Sequence, residues 1–239
     1  DTTPGEDTTP GEDTTPGEDT TPGDDTTPGE DTTPGDVGGD ASGSCRVPGA
    51  GDLLITEVQP SPAMGSAGDS NCDGTRNAVD DEFVEIVNLA DACLNLGGVS
   101  LVTGSDGTRV TFDGSVVLQR RSTLLVFGGG APVFDGTSGA DAAHCRSLAD
   151  CDVTVVTALP GSLALAPTDS LSLVVGGSAI DSAAWGGDAL APTGGQSLTR
   201  GAFSPEAPFV LHGDLSSETM SPGVDASPPA CFDVVLSED

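Results

Sequence analysis

Short segments rich in β-branched and large apolar residues recur about every ten residues along most of this chain. Gly, Asp, Pro or Arg bounds each segment, and no apolar period of about 3.6 residues persists for long. Because 34 Gly and 18 Pro also disfavour helices, the chain is predicted to be all-β. The expected strands are Leu53–Val58, Glu82–Asn88, Cys93–Val102, Thr108–Phe112, Val116–Leu118, Leu124–Phe127, Val153–Val156, Leu171–Val175, Ile180–Trp185, Ser197–Thr199 and Phe209–Leu211, with Phe232–Leu236 as a further edge strand.

The first 36 residues are six copies of the hexad D-T-T-P-G-[E/D]. They hold no apolar residue larger than Pro or Thr, so they cannot offset an ordering cost of roughly 1 to 2 kcal/mol per residue. A linker rich in Gly, Ser and Asp follows, from Val37 to Ser44. The sequence therefore predicts a disordered acidic stalk over residues 1–44 and a folded domain over residues 45–239.

The chain is strongly acidic, with a net charge of −31 and no lysine. Binding to nucleic acid or anionic lipid relies on basic side chains that neutralise phosphates, and such side chains are scarce here. The sequence also has no apolar run of about 18 residues. We therefore expect neither nucleic-acid binding nor direct insertion of this chain into a membrane.

Six cysteines are scattered among Gly, Asp and Ser. Their spacing lacks the close C-x2-4-C pairs of structural zinc sites, so three disulfides are predicted. Disulfides persist in oxidising compartments, which favours an extracellular or cell-surface location. Closeness in sequence and the usual closeness of domain termini favour the pairs Cys145–Cys151, Cys72–Cys93 and Cys45–Cys231.

The segment from Asp69 to Asn88, DSNCDGTRNAVDDEFVEIVN, joins an acidic loop directly to a predicted strand. Its spacing fits the calcium-loop pattern D-x-[DN]-x-[DN]-G followed by a late acidic residue. A turn-rich acidic loop closed by Asx hydrogen bonds is the alternative. Affinity for Ca²⁺ is expected to be weak, on the order of 0.1 to 1 mM. The predicted ligands are the side chains of Asp69, Asn71 and Asp73, the Thr75 carbonyl and the closing carboxylate of Asp80, with Asp81 or Glu82 as substitutes.

The segments LLITEVQPSP, DEFVEIVNLAD, LNLGGVSL, DGTRVTF, LLVFGGG, DSLSLV, IDSAAWG and QSLTR, in this order, resemble the bacterial lamin tail domain family over about Gly51–Gly223. The resemblance implies an immunoglobulin-like β-sandwich and a non-catalytic binding or architectural module on a secreted or surface protein. Its partner would be a protein or glycan surface. Val99 replaces the aromatic residue that usually follows the LGG turn. The chain has no coiled-coil rod, so filaments of the lamin type are not expected.

A secreted hydrolase, or an accessory domain of one, is the alternative function. It would use His212 or His144 with a nearby carboxylate. A hydrolytic triad needs a His within hydrogen-bond reach of a Ser or Cys nucleophile. The sequence has no G-x-S-x-G motif, and its cysteines are expected to be oxidised, so no catalytic residue is predicted.

Overall fold

The computed structural model describes residues 44–137, 143–187, 190–226 and 230–232. All of them belong to the second of the two units into which the chain divides, residues 1–42 and 43–239. The predicted stalk, apart from Ser44, and the predicted edge strand, apart from Phe232, lie outside the described residues.

The described residues form an all-β fold with two short 3-10 turns, Ser66–Gly68 and His212–Asp214, and no α-helix among them. The strands are β1 (Leu53–Gln59), β2 (Phe83–Asn88), β3 (Leu94–Asn95), β4 (Ser100–Thr103), β5 (Gly107–Thr111), β6 (Val117–Leu118), β7 (Thr123–Phe127), β8 (Val153–Thr157), β9 (Asp169–Val175), β10 (Ser178–Trp185), β11 (Leu198–Arg200) and β12 (Phe209–Leu211).

These strands build two stacked sheets and a small two-stranded one. The larger sheet has the order β12-β11-β1-β2-β7-β8, the second has the order β10-β9-β4-β5, and β3 pairs with β6. Most neighbours are antiparallel, with β1 paired to β2 and β2 to β7 along their lengths. The predicted immunoglobulin-like β-sandwich is confirmed.

The main core lies between the two large sheets. Alternate residues of β1, β2 and β9 point into it, because successive side chains of a strand face opposite sides. Ile55, Ile86 and Leu173 are completely buried there, and so is nearly all of Trp185, whose indole N–H donates to the Ala166 carbonyl at 2.8 Å. This indole hydrogen bond satisfies the polar atom that the largest core side chain brings inside.

The outer face of the six-stranded sheet is also covered. Phe83, Leu125 and Phe127 of β2 and β7 form a second, smaller cluster with residues of the β7–β8 connection and of the segment after β12. The rings of Phe83 and Phe127 lie 5.6 Å apart between centroids. Burial on both faces explains why Phe83, Val84, Ile86 and Val87 of β2 are all apolar, as predicted for an interior strand.

One predicted strand is corrected. The segment Cys93–Val102 is not one strand, because a turn at Gly98 (φ +85°) divides it into β3 and β4. The Val99 N–H donates to the Leu96 carbonyl at 2.9 Å and closes that turn. In addition, β8 lies parallel to β7, and a parallel neighbour requires a long crossover. The long segment between Phe127 and Val153 is this crossover.

Three disulfides are present, as predicted, but all three predicted pairings are wrong. Cys145 pairs instead with Cys72, ahead of β2, and Cys151 pairs with Cys231, after β12. Cys93 pairs with Cys45 at the start of the domain. This segment runs beside β3, with a parallel bridge between Arg46 and Leu94. The observed pairs are Cys45–Cys93, Cys72–Cys145 and Cys151–Cys231, with Cα–Cα distances of 4.9, 5.6 and 5.2 Å.

A buried ion pair joins the two large sheets where both carry a β-bulge, between Ile55 and Glu57 in β1 and between Ala179 and Asp181 in β10. Arg200 lies 2.6 Å from Asp181, and both side chains are more than nine-tenths buried. The Arg200 Nε–H donates to the Ile55 carbonyl, and Asp181 Oδ2 accepts from the Ile55 N–H, each at 2.7 Å. The ion pair therefore satisfies backbone groups that the bulge removes from the strand ladder.

Candidate functional site

The acidic loop, residues 69–82, connects the Ser66–Gly68 turn to β2 and contains the Asx hydrogen bonds that the alternative interpretation of its sequence expects. The Asn71 Oδ1 accepts from the Asp73 N–H at 3.0 Å, and the Asp73 Oδ1 accepts from the Thr75 N–H at 2.8 Å. Gly74 has φ +85°, and its N–H donates to Asp69 Oδ2 at 2.9 Å. Gly74 thus makes the sharp turn that this position of a calcium loop requires.

Asp81 fastens the two halves of the acidic loop together. Its Oδ1 accepts from the Asn71 N–H at 3.2 Å and its Oδ2 from the Asn77 N–H at 2.6 Å. Burial raises the pKa of Asp81 to about 6, and the negative charges of Asp69 and Asp73 add to that effect. The carboxylate is therefore engaged by the loop backbone.

Glu82 points away from the acidic loop. Its Oε2 accepts from the Leu165 N–H at 2.7 Å. Burial raises the pKa of Glu82 to about 7, although the nearby Arg109 charge acts in the opposite direction. The structure thus places this predicted substitute ligand apart from the other candidates, beside the connection between β8 and β9.

A turn of three glycines packs closely against the acidic loop. A Cβ atom on Gly129 would lie 2.0 Å from Asp80 Oδ1, and one on Gly130 would lie 2.3 Å from Asn71 Nδ2 and 2.6 Å from Asp73 Oδ2. The Asn71 amide donates to the Gly129 carbonyl at 3.3 Å. The absent side chains of these glycines make room for three of the predicted ligands.

The β7–β8 crossover clamps the same loop from another side. The disulfide Cys72–Cys145 joins them, and the neighbouring His144 Nε2 lies 2.8 Å from the Asp69 carbonyl oxygen. Both cysteines and the histidine are buried. In the described part of the chain, these three residues are also the one group of three or more His, Cys, Asp and Glu residues whose ligand atoms lie within 4.8 Å of one another. The disulfide occupies both sulfurs, so this group is a covalent clamp.

One oxygen of the acidic loop has no partner. Asp69 is 4% exposed, and its Oδ1 is buried with no hydrogen bond, while its Oδ2 is bonded to Gly74. Buried polar atoms without a partner are rare and costly in folded proteins. Of the predicted ligands, Asn71, Asp73 and Asp80 lie against the glycine turn, and Thr75 is exposed. Within the described residues, no three carboxylates of the acidic loop bring their oxygens within 4.8 Å of one another.

Neither histidine forms the arrangement that hydrolysis requires. His144 bonds a carbonyl, as described above. His212 is completely buried, with Nδ1 3.0 Å from the Glu218 carbonyl oxygen and Nε2 without a partner. Within the described ranges, no hydrogen bond joins either imidazole to a Ser hydroxyl.

The Lamin Tail Domain family matches residues 46–187, more than half of the chain. The chain therefore belongs to the lamin tail domain family, which is an immunoglobulin-like, non-enzymatic domain family, and the predicted family is confirmed. A comparison with curated proteins gave no match. The family match ends before β11, so β11, β12 and the chain after them lie beyond it. No helix among the described residues has the length and apolar character needed to cross a membrane.

Proposed function

We propose that this chain is a non-catalytic, extracellular or cell-surface binding and structural module, of the adhesion type, whose acidic loop binds Ca²⁺. The bound ion would stabilise the domain that presents a surface to a protein or glycan partner. Membership of a non-enzymatic family supports the first part of the proposal. Three disulfides support the location, because such bonds are typical of oxidising compartments.

The unpartnered Asp69 Oδ1 carries the calcium proposal. Calcium takes six to eight oxygen ligands, mainly carboxylates and carbonyls, and the acidic loop supplies these. The side chains of Asp73 and Asp80 and the Thr75 carbonyl would complete the site with Asp69. Asp81 and Glu82 would keep their bonds to backbone N–H groups and hold the loop instead.

Thermal unfolding with calcium and with chelator tests the proposal. With about 10 mM Ca²⁺ and a dissociation constant of roughly 0.1 mM, binding to the folded state alone adds about 2.7 kcal/mol. For a domain of this size, that corresponds to a rise in Tm of roughly 5 to 10 °C. Magnesium at the same concentration should give a smaller rise, because Mg²⁺ gives up its water less readily.

The variant Asp69→Asn separates the site from the general acidity of the chain. It should lose most of the calcium-dependent rise in Tm. Asp113→Asn, at an exposed aspartate bonded to Ser115 outside the loop, should keep the full rise. An equal rise in Asp69→Asn, or no rise in the parent chain, would overturn the assignment.

A further inference from the structure

The buried group of Cys72, Cys145 and His144 has the composition of a metal site once its disulfide is opened. The two cysteines and the histidine are 0%, 6% and 5% exposed, and their ligand atoms lie within 4.8 Å of one another. Thiolate and imidazole are the ligands that zinc sites in proteins commonly combine. Spacing in the sequence gives no sign of this group, because Cys72 and Cys145 lie 73 residues apart.

A fourth donor already faces the other three. The Asp69 carbonyl oxygen lies 2.8 Å from His144 Nε2, 3.8 Å from Cys72 Sγ and 3.7 Å from Cys145 Sγ. In a tetrahedral zinc site with zinc–sulfur bonds of about 2.3 Å, neighbouring ligand atoms lie about 3.4 to 3.8 Å apart. The distances from the carbonyl oxygen to both sulfurs therefore match edges of such a tetrahedron. The shorter distance to His144 is that of a hydrogen bond, which zinc would replace.

Charge and access also suit zinc. Two thiolates, a neutral imidazole and a carbonyl leave a bound Zn²⁺ with no net charge, which lowers the cost of burying the ion. His144 lines a cavity of about 240 Å³ together with Ser66 and Glu218, among others. This cavity gives an ion a path to the group, as a metal site requires.

We propose that reduction of the Cys72–Cys145 disulfide converts this group into a zinc site, with both sulfurs, His144 and the Asp69 carbonyl as ligands. A phosphine reductant supplies two electrons, takes the oxygen of one water molecule and becomes a phosphine oxide. The S–S bond breaks, and the two protons of that water form two thiols. Zn²⁺ then displaces both thiol protons, and the imidazole binds through Nε2 with its proton on Nδ1.

The bound ion would take over the role of the disulfide under reducing conditions. It would keep the β7–β8 crossover attached to the acidic loop after the covalent bond between them is broken. This inference does not depend on the calcium proposal, because it uses the Asp69 carbonyl and not the Asp69 carboxylate.

Titration of the full chain with Co²⁺ tests the proposal, because Co²⁺ replaces zinc in such sites and is coloured. The oxidised chain and the phosphine-reduced chain are titrated in parallel without air. We expect thiolate-to-cobalt absorption and the visible bands of tetrahedral Co²⁺ in the reduced chain only, and we expect Zn²⁺ to abolish both. A reduced chain without these bands, or an oxidised chain with them, would overturn the proposal.

Three variants separate this site from the other reduced cysteines. His144→Gln keeps every cysteine, and after reduction it should bind Co²⁺ at least about tenfold more weakly than the parent chain. Cys145→Ser removes a sulfur ligand and should also weaken binding. Cys151→Ser opens a different disulfide, Cys151–Cys231, but keeps all the proposed ligands, so it should bind like the reduced parent chain. His144→Gln keeps the proposal testable if Cys145→Ser does not fold. Unchanged Co²⁺ affinity in His144→Gln would assign the metal to other cysteines and refute the proposal.

Discussion

Removing one partner of the buried ion pair between Arg200 and Asp181 should strongly destabilise the domain. The pair joins the two large sheets, and its partners are 4% and 8% exposed. In Asp181→Ala, the guanidinium stays buried without its counter-ion, and the Ile55 N–H loses its acceptor. Breaking a buried pair in this way costs about 3 to 5 kcal/mol. At about 2 to 4 °C per kcal/mol for a domain of this size, Tm should fall by roughly 6 to 20 °C.

Denaturant unfolding with intact disulfides measures this loss, and the single tryptophan reports on it. Trp185 is 1% exposed in the core, so its fluorescence should change sharply on unfolding. The control is Asp91→Ala, which removes an exposed partner of Arg120 and should cost at most about 1 kcal/mol.

A double-mutant cycle completes the test of the ion pair. The double variant Asp181→Ala with Arg200→Met removes both charges and should be less destabilised than the sum of the two single variants. Additive losses, or a loss in Asp181→Ala no larger than in Asp91→Ala, would refute the reasoning.

Three further results are expected. Peptide mapping without reduction should recover a linked peptide with Cys72 and Cys145, and separate recovery of these cysteines would contradict the structure. Gly130→Ala should lower the free energy of unfolding by roughly 1 to 3 kcal/mol more than Gly161→Ala. Both glycines have a positive φ, but only at Gly130 would the added Cβ lie against the acidic loop. Equal losses in denaturant unfolding would refute this. Burial raises the pKa of Glu85 well above 4.5, so the stability that its protonated form gives is complete below about pH 4.5 and is lost as pH rises through the folded pKa. Tm should therefore fall more steeply with rising pH in the parent chain than in Glu85→Gln, and identical profiles would contradict this origin.

The fold class could be read from the sequence because strand patterns are local. Alternation and apolar runs report whether one or both faces of a strand are buried, and this identified β2 as an interior strand. The division of Cys93–Val102 was missed because Leu96 and Val99 are apolar like strand residues, while the turn at Gly98 separates two different sheets. Sheet membership depends on partners that are distant in sequence.

The acidic loop was partly predictable for the same reason. Its Asx bonds and the turn at Gly74 connect residues no more than five positions apart, so spacing alone indicates them. The glycine turn that packs on the loop lies more than 50 residues further along the chain. Glu57 of β1 and Glu85 of β2, which are both buried, gave no signal at all, because a glutamate in a strand normally indicates an exposed face. The bulge and the covering segment that bury them arise only from the tertiary structure.

Two segments cover the outer face of the six-stranded sheet, the β7–β8 crossover and the chain after β12, and disulfides hold both in place. With eight aromatic residues in the whole chain, these two coverings of the outer face have few large side chains to bury. Cys72–Cys145 and Cys151–Cys231 span 73 and 80 residues, and loops of that length confine the unfolded chain by about 4 to 5 kcal/mol each in the chain-entropy model. A local bond between Cys145 and Cys151 would close a short loop and leave both coverings untethered. The observed pairing instead holds the crossover against the acidic loop and joins the crossover to the chain after β12.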